Sequence, residues 1–168
     1  MTEHIVLYGQ NTNKLRELLS DTWNTAVLDC GATKTVAGSS WVDHYLKCLS
    51  EDDMRLVETF ETNTSYRFGD GNQVMCTKNV KLPAQIGNKS VLISTDVIEK
   101  EIPLLLSRES MRKAKMKLDF SNDTIELADE TIKLDSTDSG HYVVPLTKPV
   151  KILRRVDKDD PVQFTLRH

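Results

Sequence analysis

Ala26-Val27-Leu28-Asp29-Cys30-Gly31-Ala32-Thr33 is the stretch on which the reading of this chain turns. Ala26, Val27 and Leu28 are small or branched apolar residues and predict a buried strand. The strand ends in a carboxylate, and a Cys-Gly-Ala-Thr turn follows at once. A carboxylate at the end of a buried strand is costly unless it is hydrogen-bonded or paired. Gly31 lets the backbone turn sharply and approach a second group closely. Two readings compete. One is a reactive acid mounted on a rigid strand end, with small neighbours that leave room beside it. The other is a strand end with an ordinary Asx-type turn.

Downstream, the pattern is mostly β. Tyr66-Arg67-Phe68 alternates, Gly69-Asp70-Gly71-Asn72 is a hairpin turn, and Gln73 to Thr77 returns antiparallel. Val80 to Ile86 is a further strand whose Pro83 marks an edge or a bulge. Gly87-Asn88 turns it into a strand over Val91 to Thr95. Ile102-Pro103-Leu104-Leu105-Leu106 has no alternation, which predicts burial on both sides. Ser107 to Ser110 opens a short basic helix through Met111, Ala114 and Lys115. Lys117 to Phe120 and Thr124 to Leu127 form a hairpin across Ser121-Asn122-Asp123, and Thr131 to Leu134 and His141 to Leu146 are strands.

The rest is helical or terminal. His4 to Tyr8 reads as a strand, and Asn13 caps a helix carrying Leu15, Leu18 and Leu19. A helix opening at Ser39-Ser40 puts Trp41, Tyr45 and Cys48 or Leu49 on one face, with Cys48 as a small core residue. A second helix from Ser50 turns Met54, Val57 and Phe60 inward. After Thr147 the tail is a charged extension or one last strand at Pro161 to Phe164.

Composition narrows the function classes. The chain has 168 residues, 39% hydrophobic and 28% charged, with a net charge of -3. That supports one soluble domain with extensions and gives no reason to expect nucleic acid as a partner. Arg112 to Lys117 reads as a solvated helix face. The longest apolar run, Ile102 to Leu106, is far short of the ~20 residues that span a bilayer. Met1 to His4 lacks the basic start of a signal peptide. Cys30, Cys48 and Cys76 are odd in number and irregularly spaced, which suits reduced thiols in a cytoplasmic compartment. A thiol protease using Cys30 with His44 or His141 lacks a local pattern, and a zinc site from Cys30, His44, Cys48 and Cys76 lacks paired Cys-x-x-Cys spacing. No metal or other cofactor is expected.

Three features now stand in order: an apolar strand ending in Asp29-Cys30-Gly31-Ala32, a Gly-rich hairpin some forty residues later, and Leu105-Leu106-Ser107-Arg108 leading into a helix. Over roughly residues 24 to 120 the chain resembles the retropepsin-like aspartic proteases of retroviruses and retrotransposons. The resemblance implies a mainly β, closed-barrel-type acid protease fold with a flap hairpin and a few short helices. Its bounds are residues 24–147, with a helical insertion at about 40–60, an N-terminal extension over 1–23 and a tail over 148–168. It implies Asp29 as the catalytic acid, with Gly31, Ala32, Thr33, Gly69, Asp70 and Gly71 against substrate. Cys30, Leu105, Leu106, Ser107 and Arg108 would support the active-site loop.

Two positions depart from the family. Cys30 stands where it usually has Thr or Ser, and a thiol is a weaker donor. Ser107 stands where it usually has Gly, and a Cβ there is expected to crowd the passage beside the loop. Asp138-Ser139-Gly140 is not a second acid motif, because Asp135-Ser136-Thr137 is no apolar strand and His141 is not small; it reads as a turn. The resemblance therefore implies a homodimer in which two Asp29 residues meet, with terminal strands such as Gly140 to Leu146 as further dimer contacts. The substrate would be a polypeptide, including its own retroelement polyprotein. The alternative is a degenerate dimerisation or peptide-binding module on the same fold.

Overall fold

The structure, a computed structural model, describes residues 2–6, 22–146 and 162–163. The helix expected over Asn13 to Leu19 lies outside the described residues. The strands are β1 (Thr2–Val6), β2 (Thr25–Asp29), β3 (Val36–Gly38), β4 (Glu58–Phe68), β5 (Gln73–Ile86), β6 (Lys89–Ile98), β7 (Leu104–Ser107), β8 (Lys117–Asp119), β9 (Thr124–Leu127), β10 (Glu130–Lys133), β11 (Asp135–Ser136), β12 (Tyr142–Pro145) and β13 (Val162–Gln163). Three short helices interrupt them: α1 (Ser39–Lys47), α2 (Glu51–Met54) and α3 (Arg108–Lys113). The chain is mainly β.

The large sheet runs β1-β4-β5-β6-β3-β7-β2-β12-β11, with β13 beside β6; β8, β9 and β10 form a small separate sheet. This path is open, which corrects the expected closed barrel. β12 already pairs with β2 on one side and with β11 on the other, so little of it is left to complete a ring. Across the gap to β5, Leu146 accepts one backbone bond from the Gln85 N–H at 3.0 Å. β12 thus lies inside the chain's own sheet, where Val143 and Val144 are buried.

β2 and β7 lie side by side, parallel, from Ala26↔Leu104 to Asp29↔Ser107. Side chains alternate across a strand. Ala26, Leu28, Leu104 and Leu106 pack with Trp41, Val42 and Tyr45 of α1 and Met111 of α3. Val27 and Leu105 face the other way, against Tyr66, Phe68 and Cys76 of the β4–β5 hairpin. This is the two-sided burial that the unbroken Ile102 to Leu106 run predicts, and each buried Leu contributes roughly 1.5–3 kcal/mol.

Pro83 also falls where its sequence predicts. β4 pairs with β5 only as far as Lys81, so at Pro83 the strand has β6 alone as a neighbour and no ladder bond is lost on the open side. Gly38 marks a close crossing: a Cβ there would run into the carbonyl oxygens of Lys100 and Ile102. Asp138 to Gly140 is a turn, with Gly140 at φ +87° and its N–H on the Thr137 carbonyl.

The region after α1 corrects two expectations. α2 is a single turn with no buried residue; Met54 is exposed, and Phe60 lies on β4 with 42% of its surface in solvent. The chain has turned extended by Glu58, so the helical spacing from Met54 to Phe60 has no helix to act through. Cys48 is exposed at the C-terminal cap of α1, while Trp41 and Tyr45 take the core positions. Trp41 donates to the Thr22 carbonyl and Tyr45 to that of Pro83, which anchors α1 by its polar tips as well as its rings.

Candidate active site

β2 delivers Asp29 to the edge of the core and stops there. The Gly31 N–H donates to Asp29 Oδ1 at 3.0 Å, and the Ala32 N–H to the Asp29 carbonyl at 3.1 Å. This is a tight Asx-type turn. A Cβ on Gly31 would lie 3.3 Å from Asp29 Oδ1, so even alanine presses on the carboxylate. Ala32 is buried beneath the turn, whereas Cys30, Gly31 and Thr33 face outward. Asp29 itself is half-buried. Its Oδ2 is enclosed and has no hydrogen-bond partner among the described residues. Most buried polar atoms are paired, and an orphaned carboxylate oxygen needs a specific reason.

The loop is clamped at both ends. Asp29 sits beside Ser107 in the β2–β7 ladder, and Thr35, at the far end of the loop, meets Ser107 through its hydroxyl. Ser107 does not crowd this passage. It is 1% exposed and caps α3, its Oγ accepting the Ser110 N–H at 3.1 Å. Leu105 and Leu106 support the loop from the two sides of β7, each fully buried.

Arg108 begins α3 and is exposed. With Glu109 it borders a cleft of about 360 Å³ whose other wall is Cys30, Gly31, Ala32 and Thr33. Glu109 pairs with Arg112 at 2.7 Å, and no partner for the Arg108 guanidinium is found among the described residues. Among the bonds that hold the loop are those of Thr35 with Ser107 and Ser110; Arg108 adds none among the described residues.

The hairpin turn forms as predicted. The Gly71 N–H donates to the Phe68 carbonyl, and the Asn72 N–H to Asp70 Oδ1 at 2.8 Å. Asp70 Oδ2 pairs with Lys100 at 3.1 Å, and the Lys100 ammonium lies 3.9 Å from the centre of the Phe68 ring. The Asn72 amide, helped by Lys100, holds the Asp70 carboxyl below the usual carboxylate range. Lys100 lies ahead of β7, whereas Asp29 pairs with the last residue of that strand. The structure therefore brings together Asp29, Gly31, Ala32, Leu106 and Ser107, and holds Asp70 of the hairpin turn on Lys100.

Several residues here carry no signal in the sequence. Asp96, fully buried, accepts from Thr64 (3.0 Å), Tyr66 (2.6 Å), Asn79 (2.8 Å) and Lys34 (3.0 Å). Burial alone would push its carboxyl up; the bonds from Asn79 and Tyr66 and the Lys34 ammonium outweigh that and hold it below its usual value. His4 on β1 contacts Thr33 Oγ1 through Nδ1 at 2.7 Å and lies against the Tyr66 ring. Burial, reinforced by Lys34 and opposed by Asp96, holds its imidazole below the usual value. His4 also borders a groove of about 580 Å³ that runs from Thr33 to Phe60 and Lys113. β1 reaches this place by pairing in parallel with Thr64–Phe68 of β4, a partnership across some sixty residues of sequence.

Together these features define a class of site: one carboxylate on a strand end, one oxygen enclosed and unpaired among the described residues, in a loop tied to a fully buried strand. Among the described residues no three His, Cys, Asp or Glu side chains gather as metal ligands, and no helix is long and apolar enough to cross a membrane. The chain matches no protein-family model and no curated protein.

Proposed function

We propose that the chain is an aspartic endopeptidase of the retropepsin-like type, active as a homodimer that processes a retroelement polyprotein. The observation that carries this reading is the half-buried Asp29 carboxyl, mounted at the end of β2 on the Gly31 turn. The second carboxylate that the chemistry needs comes from a second copy across a two-fold axis. Two carboxylates in contact cannot both ionise, so they share one proton. The ionised member takes a proton from a water as that water attacks the peptide carbonyl, and the protonated member donates to the carbonyl oxygen. On collapse the member that took the water proton gives it to the leaving nitrogen, the C–N bond breaks, and the other member takes a proton back from a hydroxyl of the tetrahedral species, which becomes the new carboxyl group. The clefts flanking the exposed Cys30–Thr33 turn supply room for an extended peptide.

A second reading rests on Cys30. Its thiol is exposed and makes no hydrogen bond among the described residues, so it gives the loop little support. A degenerate dimerisation or peptide-binding module follows if two loops so supported do not align. Incubation of the purified chain with a denatured protein substrate, between about pH 4 and 7 where coupled carboxylates titrate, separates the two. The enzyme cleaves, and Asp29→Asn lowers kcat/KM on the order of 10²–10⁴-fold. A wild-type chain that cleaves nothing across that range leaves the module.

A further inference from the structure

Thr35, Ser107 and Ser110 form a closed ring of hydroxyls behind the Asp29 loop. The Thr35 hydroxyl donates to Ser107 Oγ at 3.2 Å, and the Ser107 hydroxyl to Ser110 Oγ at 3.1 Å. Ser110 Oγ and Thr35 Oγ1 lie 2.6 Å apart, which closes the ring when Ser110 donates. Two backbone groups enter it: the Ser107 N–H on Thr35 Oγ1 at 3.0 Å and the Ser110 N–H on Ser107 Oγ at 3.1 Å. Each hydroxyl has one proton to give and two lone pairs to fill. In this arrangement every proton is used, and only Ser110 keeps a free lone pair. The three residues are 1–3% exposed. A polar network so enclosed is rigid when fully satisfied and disrupted when one member is removed.

Its place in the chain gives the ring a role. Thr35 ends the loop that Asp29 begins, and Ser107 is the ladder neighbour of Asp29 itself. Ser110 adds α3 to the same knot through the helix cap. Both ends of the catalytic loop are thus referred to one point. Thr33 and Lys34 of the same loop bond outward, to His4 and to Asp96, while Cys30 and Arg108 make no hydrogen bond among the described residues.

We infer that Ser107 is a positioning residue for Asp29, acting through the Thr35–Ser107–Ser110 ring, so that glycine at this position weakens the site instead of improving it. The inference rests on the endopeptidase reading for its kinetic consequence but not for its structural one. Without the Ser107 hydroxyl, Thr35 and the Ser110 N–H lose their acceptor, and the Asp29 loop is free to shift against β7. A displacement of about 1 Å at a reacting group lowers rate on the order of 10²-fold.

The test compares Ser107→Gly, Ser107→Ala, Thr35→Val and Thr35→Ser in the full chain. Each is checked for folding by circular dichroism, and the Asp29 carboxyl is titrated by carbon NMR. Ser107→Gly, Ser107→Ala and Thr35→Val are expected to lower kcat about 10–10²-fold with KM changed less than about twofold, and to move the Asp29 titration. Thr35→Ser, which keeps the hydroxyl, is expected to retain both. Wild-type kcat and an unmoved Asp29 titration in folded Ser107→Gly overturn the inference. If Ser107→Gly does not fold, Thr35→Val, which keeps the side-chain volume, decides in its place. Should the wild-type chain cleave nothing, the endopeptidase reading fails, and the Asp29 titration still tells whether the ring positions that carboxylate.

Discussion

Asp29 ends β2, Asp96 lies fully buried within β6, and the two acids are treated in opposite ways. Asp96 is surrounded by Lys34, Thr64, Tyr66 and Asn79 and has both oxygens occupied. Asp29 has one oxygen on the Gly31 amide and the other enclosed and empty. A buried carboxylate that is fully bonded ties elements together, here the hairpin shaft to the loop before β3. One left partly unbonded ties nothing together through that oxygen and contributes less to the fold.

The largest effect that can break this comparison is on stability. Asp96→Ala strands Lys34, Tyr66, Thr64 and Asn79 without their acceptor and is expected to destabilise the fold by about 3–5 kcal/mol in denaturant unfolding. Asp29→Asn, which keeps an acceptor for Gly31, is expected to cost less than about 1 kcal/mol. Equal losses would erase the distinction between the two acids. Tyr66→Phe removes only the 2.6 Å bond to Asp96 and should cost about 1.5–3 kcal/mol, as bonds to charged groups do.

The acid dependence sharpens the contrast. Asp96 has a lowered folded value, so its contribution is complete above its unfolded value of about 3.9 and is lost as pH falls through the folded one. Unfolding midpoints measured from neutral pH downward should fall along this limb, and the fall should flatten in Asp96→Asn. The smallest effect belongs to His4. Its folded value is also lowered, so its contribution is present above about pH 6.5 and is lost as the imidazole protonates below that. Amide exchange in β1 should quicken toward acid, and His4→Ala should abolish that pH dependence at a cost of about 0.5–1.5 kcal/mol.

How much of this could be read from the chain follows the range of the forces involved. The buried strand before Asp29, the Gly69–Asn72 turn, the doubly buried Leu104–Leu106 run and the Ser107 cap are local: side-chain pattern and turn chemistry specify them within a few residues. The Asp29 turn with Gly31 belongs to the same class. Phe60 and Cys48 went against expectation because helical spacing was extended past the point where the chain leaves the helix, and an exposed helix end needs no apolar residue.

What the amino-acid order determined by itself was the mainly β character, the position of one acid at a strand end, and the turns that punctuate the strands. What only the tertiary structure decided was who meets whom: Thr35 with Ser107 and Ser110, His4 with Thr33, and Asp96 with four donors. These partners lie between 17 and 75 residues apart in the chain. Hydrogen bonds act over about 3 Å, and no local pattern encodes which distant hydroxyl or carboxylate the packing of β2 against β7 will carry within that distance.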